Sequence, residues 1–405
     1  MSDSACSFLS PSTFCERGLL FKAWLEHFEV EHTQSSDESP FWQRRSGGKF
    51  DIEITGYDFP PPPANPSHAL LHERLKGFFT FHPTEAGDDV AKDEYAICEN
   101  ASMLCSTYDK FSRLSDDCQE ATFRAPIDNL FDLVFSHSAG FHVELETAMV
   151  LPALPEEIRR QLKFTATSTT SADITASSFA RTTTTPKISL LDTELHAFRP
   201  QLVEFTRNHI ALAEVFMEYK TNDLDTVRRQ VMLDHTITLF HRRYVGLDSR
   251  PVHGIAINNK TAYYFSSVWK DGIATSTEYQ QALSLATFSD WIGFYISLVK
   301  IRQTITSVPT VDVVAARERK AWRNIPSESG GSRRRREDSQ EGDDRPRKKR
   351  KTASDAFQPE GGGGYSFEDD VQSWSPVSAS EKVHEYLQGL RVVSANNSLA
   401  QRQDE

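Results

Sequence analysis

The stretch IALAEVFMEYK (210–220) decides the reading of this chain. From Ile210 to Tyr219 it is dense in apolar side chains and lacks a polar alternation, which suits a central strand covered on both faces. Working outward, Asp223 is placed to cap a helix running to about Tyr244, with Leu224, Val227, Val231 and Leu239 near one face. VHGIAIN (252–258) and TAYYFSSVW (261–269) then read as strands joined by the short turn Asn259-Lys260, an antiparallel hairpin. Further on, TEYQQALSLATFSDWIGFYISLVKIRQ (277–303) predicts a helix through Leu283, Leu285, Trp291, Phe294, Leu298 and Ile301. Upstream, KISLL (187–191) is a strand candidate. The order strand, strand, helix, strand, strand, helix predicts an α/β unit: a mixed sheet with flanking helices.

The remainder of the chain is read around that unit. Residues 1–45 form an arm with one short helical pattern (Leu19, Leu20, Trp24, Phe28) and then the polar run HTQSSDESP (32–40). Residues 46–160 read as a mostly helical accessory region, helical over 67–79 and 93–111. Within it KFDIEI (49–54) alternates like a strand, and DFPPPPANP (58–66) enforces extended chain. The core is assigned to 161–308. Its first part, 165–185, holds thirteen Ser/Thr in twenty-one positions, compatible with an edge hairpin or with a disordered loop. Residues 309–378 read as a disordered linker rich in Gly, Ser, Arg and acids. In 379–405, Ser378 and Glu381 have capping-box spacing ahead of an apolar stripe (Val383, Tyr386, Leu387, Leu390), a short amphipathic helix with a tail.

Charge is distributed unevenly. The 405 residues carry 45 Lys+Arg against 57 Asp+Glu, a net −12. A uniformly acidic surface repels phosphate and excludes a generic nucleic-acid coat. Between Arg333 and Lys351, however, ten basic and five acidic residues give +5, which leaves −17 on the rest. The longest apolar stretch, WIGFYISLV (291–299), is less than half of the ~20 residues a membrane span needs. The N-terminal MSDSACSFLSPSTF has no basic start and no apolar h-region, so an intracellular protein without a membrane segment is expected. Five cysteines without CxxC spacing argue against a disulfide framework or a structural zinc site. His235 and His241, six apart on one helix, stand about 240° apart around its axis and cannot share a metal.

Chemistry concentrates at Glu218-Tyr219-Lys220. Alternation along a strand puts Glu218 and Lys220 on one side, where a carboxylate and an ammonium can serve a Mg²⁺ ion and an attacking water if a second carboxylate comes from the neighbouring strand. Over about residues 186–270 this arrangement resembles the PD-(D/E)XK nuclease superfamily, whose core carries an Asp on one strand, Glu-x-Lys on the next, then a helix and another strand. The resemblance implies a PD-(D/E)XK-like core with Asp192, Glu218 and Lys220 as candidate catalytic residues. Asp192 and Glu218 are then the candidate metal ligands. Where the superfamily has Pro-Asp this chain has Pro186-Lys187; Asp192, with Glu194 behind it, is the substitute. Over roughly 200–305 the chain is also similar to the segment before the catalytic lobe in the fungal-type protein kinase family, through Glu218/Lys220, Gln230, Arg242/Arg243 and Asp271-Gly272. No glycine-rich phosphate loop, catalytic-loop Asp or DFG accompanies it, so kinase activity is not expected.

A second motif is basic: Arg333, Arg334, Arg335 and Arg336, then Arg345, Arg347, Lys348, Lys349, Arg350 and Lys351. It resembles a bipartite nuclear localisation signal and implies a nuclear protein whose partner is an import receptor. The expectation is a nuclear binding or regulatory module on a core that has lost metal-dependent cleavage, with no cofactor and with nucleic acid or another protein met through the C-terminal helix. The alternative is a Mg²⁺-dependent nuclease using Asp192, Glu218 and Lys220.

Overall fold

The computed structural model describes residues 11–55, 59–82, 94–115, 118–136, 140–152, 169–182, 209–305 and 309–319. The chain divides into two compact units, Met1–Pro326 and Ser327–Glu405. All of the second, with both basic clusters and the expected C-terminal helix, lies outside the described residues, as do KISLL, Asp192 and Glu194.

The first unit opens with α1 (Pro11–Glu16), α2 (Gly18–His27), β1 (Val30–Glu38), β2 (Glu53–Thr55), α3 (Pro66–Lys76) and β3 (Thr80–His82). It continues through α4 (Ile97–Ser112), α5 (Glu120–Phe135), β4 (Phe141–Val150), β5 (Thr169–Thr182), β6 (His209–Lys220) and α6 (Leu224–Val245). Then come β7 (Val252–Asn258), β8 (Thr261–Lys270), β9 (Ile273–Ser284), α7 (Phe288–Thr304), β10 (Thr310–Val311) and α8 (Val313–Glu318). An eight-stranded mixed sheet runs β1-β9-β8-β7-β6-β5-β10, with β4 also paired to β5, while β2 and β3 form a separate parallel pair. This is the α/β architecture with a mixed sheet and flanking helices that the sequence predicts.

Helices cover both faces. On one, α3, α4, α5 and α7 pack with Ile174, Val215, Met217, Tyr219, Ile255 and Ile257 of the sheet. On the other, α1, α2, α6 and α8 enclose Phe216, Ala256, Phe265 and Ala274. Thus β6 is buried along nearly its whole length, which is why its sequence runs apolar instead of alternating. The right-handed crossover rule for parallel neighbours applies to β6 and β7, which α6 connects. Asp223 caps α6 by accepting from Thr226 N at 2.9 Å, and Gly246 ends it in the left-handed region at φ 82°. The helix lies close on the sheet: a Cβ at Gly254 would stand 2.3 Å from His235 Nε2. Accordingly α5 and β4, drawn from the stretch 46–160, belong to the same layers as the strands of 161–308.

Three elements differ from expectation. The Ser/Thr run from Thr169 is neither an edge hairpin nor a loop: β5 is interior, bonded to β6 on one edge and to β4 and β10 on the other. Its hydroxyls are small enough to be enclosed, with Thr175 and Ser177 buried. Residues 277–284 continue strand β9, and the helix begins only at Phe288, where Thr287 caps it by accepting from Asp290 N. Leu283 and Leu285 are two apart, a strand period that mimics the start of a helical stripe. Finally, the polar run after α2 is an edge strand, β1, parallel to β9. Its largely exposed side chains need no apolar alternation.

Candidate functional site

Antiparallel pairing of β5 with β6 sets the site. One step beyond the pair Ile174 and Met217, Asp173 comes opposite Glu218. The Asp173 N–H donates to Glu218 Oε1 at 2.9 Å, and the Tyr219 N–H donates to Asp173 Oδ2 at 2.9 Å. The two acids are therefore locked by each other's strand. Lys220 follows at the end of β6, its carbonyl accepting from Asn259 N and from Asn258 Nδ2, both at 3.1 Å, so that the turn between β7 and β8 fixes the strand end. Asn259 takes φ 51°, a left-handed conformation that asparagine tolerates.

Helix α5 lies against this strand pair and presents three charged residues at four-residue spacing, one helical face. Glu120 accepts from Lys220 Nζ at 3.1 and 3.2 Å. Arg124 is the hub. Its guanidinium donates to Asp173 Oδ1 at 2.9 Å, to the Asp173 carbonyl at 2.7 Å, to Asp128 Oδ2 at 3.1 Å and to Glu146 Oε1 of β4 at 3.2 Å. It also lies over the Tyr219 ring, 5.7 Å from the centroid. The fork geometry of arginine lets one side chain hold a carboxylate and a carbonyl of the same residue.

Glu218 points away from this hub. Its side chain is fully enclosed, and Asp234 of α6, equally buried, faces it within hydrogen-bonding reach. Neither Glu218 Oε2 nor either Asp234 oxygen receives an N–H or O–H donor from the described residues. Two carboxyls can bond to each other only if one keeps its proton. On the same side, Cys15 of α1 is buried close enough for both acids to push its thiol upward, behind the larger effect of burial.

The electrostatics follow from enclosure. Burial, with the charges of Asp173 and Asp234, raises Glu218 well above the ordinary carboxyl range. Burial raises Asp234 to about 8, against the hydrogen bond to Glu218, which lowers it. Asp173 is pushed up only to about 6, because Arg124, the Tyr219 N–H and Lys220 oppose its burial. Burial alone would lower Lys220, but the hydrogen bond and charge of Glu120, with Asp173 and Glu218, hold it above its usual value.

Of the residues singled out by sequence, Glu218 and Lys220 lie in this site, and Asp192 lies outside the described residues. Asp173, Glu120 and Arg124 were not anticipated. A signal existed for the first: between 165 and 180, Asp173 is the sole charged residue. Gln230 is buried one turn ahead of Asp234, and Arg242 serves a separate purpose, an ion pair with Glu214 beneath β6. Among the described residues no group of three or more His, Cys, Asp or Glu side chains is arranged to hold a metal ion. The donor set explains this: Asp173 has one oxygen on a guanidinium and the other on a backbone N–H, and Glu218 has one oxygen on a backbone N–H and the other toward Asp234. None of the described helices is long and apolar enough to cross a membrane. Comparison with protein-family models and with curated proteins finds no match.

Proposed function

We propose that this chain is a nuclear binding or regulatory module built on a PD-(D/E)XK-like core that does not cleave nucleic acid. The succession α5-β4-β5-β6-α6-β7 supports the likeness, since it sets an Asp on one strand opposite the Glu of Glu-x-Lys on the next, followed by a helix and a parallel strand. The non-catalytic reading rests on one observation: the Asp173 carboxylate is held by Arg124 and by the Tyr219 N–H, so the acid that would share a metal with Glu218 is already paired. The spacing of Glu218/Lys220, Gln230, Arg242/Arg243 and Asp271-Gly272 supports a likeness to the segment that precedes the catalytic lobe in the fungal-type protein kinase family. The basic clusters 333–336 and 345–351 address it to an import receptor, and the helix expected within 379–405 supplies a docking element for protein or nucleic acid.

The test is direct. Purified chain incubated with plasmid, single-stranded DNA and RNA in Mg²⁺ or Mn²⁺ is expected to leave all three intact. Cutting that disappears in Glu218→Gln and Lys220→Ala would overturn the non-catalytic reading. The opposed Asp173 and Glu218 favour that second reading, a divalent-metal phosphodiesterase in which Asp173 takes the part first assigned to Asp192. For the address, neutralising both basic clusters is expected to disperse a fluorescent fusion into the cytoplasm; unchanged nuclear accumulation would remove it.

A further inference from the structure

We infer that Arg124 is the built-in counter-cation of the Asp173 site, its guanidinium taking the place of a divalent ion, and that removing this one side chain turns the site into a divalent-cation site. The inference deepens the non-catalytic reading above and rests on it.

The geometry is that of a cation held by oxygen donors. Arg124 meets oxygens from three separate elements, Asp173 on β5, Glu146 on β4 and Asp128 on its own helix, and takes both the side chain and the carbonyl of Asp173. A hard divalent ion at the same place would use the same classes of ligand, carboxylate and backbone carbonyl. The guanidinium is mostly enclosed, with a side-chain exposure of 10%, so water screens the contact little. It is also tied on both sides of its position in α5, since Glu120 one turn before engages Lys220 and Asp128 one turn after engages Arg124 itself. Neither neighbour is free to pull the arginine out. Lys220, the second cation whose charge acts on Asp173, is occupied by Glu120, so among the described residues it is not poised to replace Arg124.

Loss of Arg124 leaves Asp173, Asp128 and the Asp173 carbonyl without their shared donor. The acids then take up either protons or a metal ion. Metal uptake in the variant is therefore expected to weaken as pH falls, because protons compete for the same oxygens.

The experiment uses the full chain with manganese as the probe. Wild type, Arg124→Gln and the double variant Arg124→Gln/Asp173→Asn are titrated with MnCl2 at pH 8. Free Mn²⁺ is followed by its paramagnetic resonance signal and folding by near-ultraviolet circular dichroism. Arg124→Gln is expected to bind about one Mn²⁺ at least tenfold more tightly than wild type, and the double variant to lose that gain. Equal uptake by wild type and Arg124→Gln overturns the inference, as does a gain that survives Asp173→Asn, or a folded Arg124→Gln that takes up no metal. If Arg124→Gln does not fold alone, refolding in millimolar Mn²⁺ or methylguanidinium is expected to restore its near-ultraviolet signal; failure of both also overturns it. Nuclease assays on the wild type separate the two levels. Cleavage by wild type defeats the proposed function, whereas an inert wild type with a metal-blind Arg124→Gln defeats only the role given to Arg124.

Discussion

The buried acid pair makes stability depend on pH in a window where little else titrates. Asp234 is raised by burial to about 8 from an ordinary 3.8. A carboxyl with a raised folded pKa adds stability that is complete below its unfolded value and is lost as pH rises through its folded value. Between those limits the unfolded chain has released a proton that the folded chain retains, a slope of about 1.4 kcal/mol per pH unit. With a folded value of about 8, the loss from pH 7 to pH 8 is about 1 kcal/mol. Glu218 is raised in the same sense and shares that proton, so the step belongs to the pair and is counted once. Asp173 and two buried histidines, also perturbed, are quiet there. Asp173, near 6, is already ionised in the folded chain. His235 and His253, lowered by burial to about 3, contribute stability that is present above their ordinary 6.5 and lost as pH falls, so they act only on the acid side. Asp234→Asn replaces the acid with an amide that donates to Glu218 Oε2 without a titrating proton. Urea unfolding at pH 7.0, 7.5 and 8.0 should show the wild-type midpoint falling by about 0.3–0.5 M more than that of the variant, for a slope of about 2–3 kcal/mol/M. Parallel midpoints for the two proteins across that window would refute the shared proton.

Two further outcomes test how the sheet is held. Arg242 and Glu214 form a fully enclosed pair 2.5 Å apart, with Arg242 also donating to the Ala213 and Arg250 carbonyls and Ser178 to Glu214. Glu214→Ala, which strands the guanidinium, should cost about 3–5 kcal/mol in chemical denaturation, whereas Glu214→Ala/Arg242→Met should recover much of the loss. Gly254→Ala, whose Cβ would meet His235 Nε2 at 2.3 Å and Val231 Cγ1 at 2.5 Å, should cost about 1–3 kcal/mol, and a thermal midpoint equal to wild type would contradict so close an approach of α6 to β7.

Local signals explain which parts of this fold are legible in sequence. The apolar run of β6, the Asp223 cap of α6 and the Asn259-Lys260 turn each depend on neighbours in the chain, and each forms where the residues place it. The elements misread are those whose state is decided by distant partners. β5 carries Ser and Thr in positions that β4, β6 and the helices enclose, so its burial is set by pairing and not by its own hydrophobicity. β9 gains its extended form from β8 and β1, the latter more than 200 residues away in the chain. The same distinction governs the site. Glu218 and Lys220 are visible because they share a strand. Asp173 is 45 residues upstream and reaches Glu218 only through the register of β5 on β6.

That register also explains why an acidic core tolerates such a concentration of carboxylates. Asp128, Asp173, Glu218 and Asp234 are each largely or wholly enclosed, and four unpaired charges so placed would be far too costly to fold. They are compensated locally in two pairs, by two different means. Arg124 spans Asp128 and Asp173, while Glu218 and Asp234 face each other across a retained proton. Lys220 answers Glu120 at the rim. Among the described residues, Arg124 and Lys220 are thus committed to holding α5, β5 and β6 together. A cluster in that state serves as a cross-brace between a helix and the centre of the sheet.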